Sequence, residues 1–290
     1  MIESLSPQLE KLQRSDVVAL GRAYEELDNG LAAIKTYRSL LAKNAKDVEA
    51  HYLIALVHKK MGKDDEAISS LKDALELNLK YEPANFALAE LYRKRKNQYF
   101  LRVLLEDMEK FVSPAKLPLV KAELCAINLQ DGFHAQAKRK CQEAIQQNPK
   151  HPENYVHLGI AFKETGMPEL ASKHLHRAAD SFKNSEVAQF SLGQFYNESK
   201  NHIKAFEYFK RATEADAKSV RSLVALGFAA LEIQKFQDAH IAFVKACELD
   251  RSTEKDLRKA TNIIRLLKNE VWLLKFEASF DRCGGANVFN

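Results

Sequence analysis

The chain has 290 residues, 46% apolar and 29% charged, with 10 Gly, 7 Pro and a formal net charge of +5. That balance excludes a disordered or collagen-like chain, and its abundant Ala, Leu, Lys and Glu favour helix over sheet. Glu3 with no apolar core after it argues against a secretory leader, the longest uncharged apolar-rich run (Ser222 to Leu231) is about half a membrane span, and neither end carries a lipidation motif.

In chain order, residues 1–13 carry Ile2, Leu5, Leu9 and Leu12 at helical spacing and predict a short leading helix. From residue 14 the sequence repeats itself. Ala33, Ala67, Leu101, Ala137, Ala171, Ala205 and Ala239 form one column, at intervals of 34, 34, 36, 34, 34 and 34 residues. Thirteen residues before each stands Leu20, Ile54, Leu88, Leu124, Leu158, Leu192 or Leu226. A small residue follows at once: Gly21, Ala55, Ala89, Cys125, Gly159, Gly193, Gly227. Four residues after the alanine column come Tyr37, Leu71, Leu105, Cys141, Leu175, Phe209 and Phe243. Apolar residues three or four apart on both sides of a turn describe a helix pair. The small column lets two antiparallel helices approach closely. Asp28-Asn29-Gly30, Met61-Gly62-Lys63, Asp131-Gly132 and Thr165-Gly166 supply the left-handed conformation that ends the first helix. One pair cannot bury its apolar face alone, so neighbours must stack.

These columns are similar to those of the tetratricopeptide repeat family, over seven repeats beginning near residues 14, 48, 82, 118, 152, 186 and 220 and ending near 253. The resemblance implies an all-α fold, a right-handed superhelical solenoid of helix-turn-helix pairs, and a non-catalytic adaptor that assembles complexes. The sequence departs from the family in places. The aromatic at the fourth position survives only as Tyr155, the terminal proline only in Asn148-Pro149, and the third repeat has Leu101 for alanine and Lys96-Asn97 for the glycine turn.

In the family, positions two, five, nine and twelve of each first helix face a concave groove. Carried over residue by residue, the apolar fifth and ninth positions cluster as Tyr52, Leu56 and Phe86, then as Val156, Ile160, Phe190, Val224 and Phe228. They predict a groove for an extended peptide or an amphipathic helix. The alternatives are burial by tight curvature, or occupation by the chain's own tail, Gly284 to Asn290. The Lys/Asn set with which chaperone-binding members hold a Glu-Glu-Val-Asp tail is missing. Val18, Arg22, Leu53, Pro83 and Ala87 stand there instead, which argues against that ligand.

The 36-residue interval marks a two-residue insertion near 113–118, with Pro114 and Pro118 at its ends. It predicts a bend or, alternatively, only a longer loop. Residues 254–280 predict a capping helix or helices opened by a capping box at Thr253 to Asp256. One stripe (Leu257, Ala260, Ile264, Leu267, Val271, Leu274, Ala278) should cover the last repeat. A second holds Ile263, Leu266, Leu273, Phe276 and Phe280. Either a break near Lys268-Asn269 folds the segment into two helices, or Leu266, Leu273, Phe276 and Phe280 form an oligomer surface. Residues 281–290 are expected to be a flexible tail.

Residues 80–150 hold 13 Lys/Arg and 8 Asp/Glu, and so carry the whole net charge. Arg93, Lys94, Arg95, Lys96, Lys138, Arg139 and Lys140 form a candidate basic patch for an anionic surface or nucleic acid, with a merely solvated face as the alternative. No interleaved stacking aromatics or repeat code supports nucleic acid. No phosphate loop, dinucleotide fingerprint, zinc-protease or nucleophile-elbow motif occurs, so no catalytic residue or cofactor is assigned. His174 and His176 are two apart on a helix and point to different faces, so no metal site is assigned. Cys125, Cys141, Cys247 and Cys283 form no CxxC and predict reduced thiols in a cytoplasmic protein, with Cys125 and Cys141 in the core and Cys283 exposed beside Gly284-Gly285.

Overall fold

The computed structural model describes residues 11–280 and residue 283. The expected leading helix lies largely outside the described residues, and so does the tail apart from Cys283. Among the described residues there are sixteen α-helices and no strand. Two per repeat, they are α1 (Arg14–Glu26) and α2 (Gly30–Lys43), α3 (Val48–Lys60) and α4 (Asp64–Leu77), and α5 (Glu82–Lys94) and α6 (Gln98–Met108). Then come α7 (Leu117–Gln130) and α8 (His134–Gln147), α9 (Pro152–Glu164) and α10 (Pro168–Ser181), and α11 (Glu186–Glu198) and α12 (His202–Ala215). The last four are α13 (Val220–Glu232), α14 (Phe236–Leu249), α15 (Glu254–Leu266) and α16 (Glu270–Glu277).

One backbone feature recurs with the period. Asp28, Gly62, Lys96, Gly132, Gly166, Lys200, Gln234 and Lys268 all have positive φ, between 55° and 79°. Each ends the first helix of its pair. Five are not glycine, although the left-handed region costs an ordinary residue about 1–2 kcal/mol. The following asparagine helps where glycine is missing. Asn29, Asn97, Asn201 and Asn269 each cap the second helix, accepting from the backbone N–H three residues on. Between repeats, Asn44, Asn78, Asn148, Asp216 and Asp250 accept from the N–H two residues on. That Asx turn reverses the chain towards the next first helix.

Two units divide the chain, residues 1–127 and 128–290, so the boundary lies inside α7 rather than at the insertion. The insertion is a turn tied within its own unit: Ser113 N donates to Glu82 Oε1 at 2.6 Å and Lys116 Nζ reaches Glu82 Oε2 at 2.9 Å. The first unit's core gathers Leu71, Leu91, Leu105, Met108 and Leu124, with a second cluster around Tyr37. Leu101 is buried where alanine was expected, so the third pair closes around the larger side chain. The second unit's core gathers Leu175 and Leu192, then Phe209, Phe243, Leu257 and Phe276. The small column works by contact. A Cβ on Gly193 would sit 2.7 Å from Phe209 Cδ1, and one on Gly227 2.7 Å from Phe243 Cε2.

The C-terminal segment keeps the period instead of capping it. Lys268 lies 34 residues after Gln234, so α15 and α16 form an eighth pair. The left-handed turn shifts the helical phase, and the two stripes exchange roles. Leu257, Ala260 and Ile264 are buried as expected, but Leu267, Val271 and Leu274 are 49%, 66% and 68% exposed. Phe276 and Phe280, assigned above to an exposed surface, are buried in the core, and Leu273 is half-buried against it. Of that candidate surface only Leu266 is open, at 82%. The capping box does not form either. Thr253 Oγ1 donates back to Asp250 O at 2.8 Å, and its side chain makes no cap to α15.

The cysteines also differ from expectation. Cys247 and Cys283, with Cα atoms 5.4 Å apart, form a disulfide, and Cys283 is buried. Among the described residues none of the cysteines is free. Cys125 and Cys141 are fully buried, as their columns require.

Candidate functional site

Successive first helices touch one another: α3 and α5 in the first unit, and α9, α11, α13 and α15 in the second. Each unit therefore presents a face of adjoining first helices. The predicted groove residues lie on these two faces. None is fully open, because each also packs on the core beneath it.

In the first unit Tyr52, Leu56 and Phe86 are half-buried. Tyr52 meets Tyr81 edge-on at 5.6 Å, and Lys116 Nζ stands 4.9 Å from the centre of the Phe86 ring. Burial pushes the Tyr52 hydroxyl pKa up, and the charge of Glu90 adds to it. Lys59 and Glu90, the twelfth and ninth positions of these two helices, form an ion pair at 2.5 Å. Arg93 and Glu123 form another.

The second face is different. Its fifth positions are Val156, Phe190 and Val224, and its ninth are Ile160, Gln194 and Phe228. Val156 is buried; Ile160, Phe190, Val224 and Phe228 are half-buried. Phe190 lies between the Phe209 ring, at 5.5 Å, and the Arg221 guanidinium, 4.8 Å from its centroid. Phe228 meets Phe243 edge-on at 4.9 Å. These aromatic contacts hold the rings in fixed positions, so the ledge is preformed.

A clasp fixes the edge of this face. Glu186, at the start of α11, accepts from Ser219 Oγ at 2.7 Å, Ser222 Oγ at 2.5 Å and Arg221 Nε at 2.9 Å. Burial pushes the Glu186 carboxyl up, but the bonds from Arg221, Ser222 and Ser219 outweigh it and hold the pKa down at about 2. Where the fourth-position aromatic is missing, an amide replaces it. Asn85 Nδ2 donates to Leu79 O at 2.9 Å, and Gln189 Nε2 donates to Ala179 O at 2.8 Å. Each ties a first helix to the segment before it. Sequence reading missed this because amides carry no hydrophobic signal.

The basic residues are not an open patch. Lys94 pairs with Asp64 at 2.8 Å and Arg95 with Asp65 at 2.6 Å, while Arg93 is held by Glu123. Lys96 is the turn residue with positive φ. In the second unit Lys138 stands 5.4 Å from the centre of the Phe162 ring, Arg139 lies 3.8 Å from Glu143, and Lys140 is 9% exposed. The two histidines part as their spacing requires: His174 stacks on Phe162, and His176 Nε2 lies 2.7 Å from Tyr196 Oη. Among the described residues no helix is long and apolar enough to cross a membrane.

Tandem helix hairpins with a 34-residue period, stacked first helix to first helix, define a helical-repeat scaffold. The tetratricopeptide repeat model matches residues 48–81 and 187–219. Over 280 residues the chain is 21% identical to the BBSome complex member bbs-4 of Caenorhabditis elegans, covering 92% of this chain and 52% of that one. Over 86 residues it is 30% identical to anaphase-promoting complex subunit 3 of Schizosaccharomyces pombe, covering 30% of this chain and 13% of that one. The chain thus spans about half or less of the length of these two relatives. A solved tetratricopeptide repeat protein from Parabacteroides merdae superposes with a TM-score of 0.65 at 12% identity, covering 87% of this chain and 99% of that one. The chain belongs to the tetratricopeptide repeat family, whose fold is a protein-interaction scaffold.

Proposed function

We propose that the chain is a non-catalytic adaptor that holds a protein segment on the first-helix face of its second unit. One observation carries this reading: Val156, Ile160, Phe190, Val224 and Phe228 recur at two repeat positions over three adjoining helices, four of them half-buried rather than sealed. Such a ledge gains about 25 cal/mol for each Å² of apolar area that a ligand covers. Affinity capture from native extract, comparing wild type with Phe190→Glu/Phe228→Glu, tests it. Circular dichroism must first show that the variant folds. Loss of a specific protein supports the reading, and identical capture by the two chains contradicts it.

A second reading has its own observation. Leu266, Leu267, Val271 and Leu274 are the densest run of exposed large apolar side chains in the second unit. Self-association through the eighth pair accounts for them. Light scattering of Leu266→Lys/Leu274→Lys decides: a wild-type dimer that becomes monomeric supports this reading, and an unchanged mass removes it.

A further inference from the structure

The four groove positions of the eighth pair differ in kind from those before them. Counted by the same register, α15 presents Lys255, Arg258, Asn262 and Arg265 where α13 presents Arg221, Val224, Phe228 and Leu231. Residues at these spacings share one helix face. α13 and α15 are in contact, so the cationic stripe adjoins the apolar ledge directly. Two of its members are held in place. The Arg258 guanidinium lies 4.8 Å from the centre of the Phe280 ring and donates to Glu254 Oε1 at 2.9 Å through Nε. Arg265 donates to Asn262 Oδ1 at 2.8 Å and Glu277 Oε1 at 2.9 Å. Lys255 is exposed. α15 carries four cations against two carboxylates. The stripe was not among the candidates read from sequence, since none of its cations adjoins another along it.

Building on the proposed groove, we infer that its ligand is a peptide segment in which apolar anchors are followed by acidic side chains. The anchors occupy α9, α11 and α13, and the carboxylates meet Lys255, Arg258 and Arg265 on α15. Adjacent helices lie about 8–10 Å apart, so four of them span roughly 30 Å, the reach of about nine extended residues. Arginines already oriented by a ring and a carboxylate lose little freedom when they take a further acceptor. A polyanion such as single-stranded nucleic acid fits less well, because it needs aromatic faces for its bases and Phe190 and Phe228 are packed on other rings.

The test is selection of a random 12-residue peptide library on the full chain, on Lys255→Glu/Arg258→Glu/Arg265→Glu, and on Phe190→Glu/Phe228→Glu, each checked for folding. Wild type should enrich peptides with an apolar run flanked on one side by Asp or Glu. The charge-reversal variant should keep the apolar run and lose the acids, with about tenfold weaker binding of a wild-type-selected peptide. Peptides that lack acids, or acids that survive charge reversal, overturn the inference but leave the groove standing. Failure to select on wild type, or indifference to Phe190→Glu/Phe228→Glu, overturns the groove reading itself. Binding of a labelled single-stranded oligonucleotide by wild type, lost on charge reversal, assigns the stripe to nucleic acid and also overturns the inference.

Discussion

The two units are built from the same hairpin, yet their first-helix faces are finished differently. In the first, the Lys59–Glu90 ion pair bridges the two helices that carry Tyr52, Leu56 and Phe86. In the second, the corresponding ninth positions are Ile160, Gln194 and Phe228. A face whose charges satisfy one another leaves little for a ligand to gain. A face of half-buried apolar side chains leaves desolvation to be completed by something else. The period dictates where the groove positions fall, and the residue at position nine decides whether they are available.

The largest effect expected is on folding of the second unit. Phe243 supports both Phe228 and Gly227, so Phe243→Ala should cost about 3–5 kcal/mol. Hydrogen exchange should locate the loss around α13 to α16, with α3 to α6 still protected. Gly193→Ala comes next. Its Cβ would meet the Phe209 ring, so overpacking of about 1–3 kcal/mol should appear in denaturant unfolding.

The Glu186 clasp gives a smaller, pH-dependent effect. Its pKa falls from 4.5 to about 2 on folding. Its contribution is therefore fully present above pH 4.5 and drains away as the pH falls towards about 2. Glu186→Gln should remove that acid limb and cost about 2 kcal/mol at neutral pH, read by urea titration across pH. His157 and His174 add a limb at higher pH. Burial lowers both pKa values below 6.5, with neighbouring Lys173 and Arg177 adding to the effect on His174. Both folded and unfolded forms are neutral above that pH. Stability should decline as the pH falls below 6.5, because the unfolded chain then takes up more protons. His157→Gln should flatten this decline. The smallest effect is expected from Arg93→Glu/Arg95→Glu, which should leave partner capture unchanged, because those cations are already committed to Glu123 and Asp65.

The helix pairs were legible because their columns recur at 34 residues and each column has one physical job. The eighth pair escaped because those columns are overwritten there: Ala260 stands for leucine, Thr261 for glycine and Leu273 for alanine. The turn Lys268-Asn269, 34 residues after Gln234-Lys235, was the signal that remained. The groove positions were legible as positions, but their accessibility was not. That depends on side chains from the next repeat, such as Lys116 over Phe86 and Arg221 over Phe190. The basic run looked open for the same reason, since Asp64, Asp65 and Glu123 reach it from about one repeat away.

The most direct test replaces Phe228 in one chain, and Phe86 in another, with a photo-crosslinking phenylalanine analogue, and irradiates native cells expressing each. The account predicts a specific covalent adduct from position 228 and none from position 86. An adduct from position 86 alone would place the ligand on the first unit and contradict it.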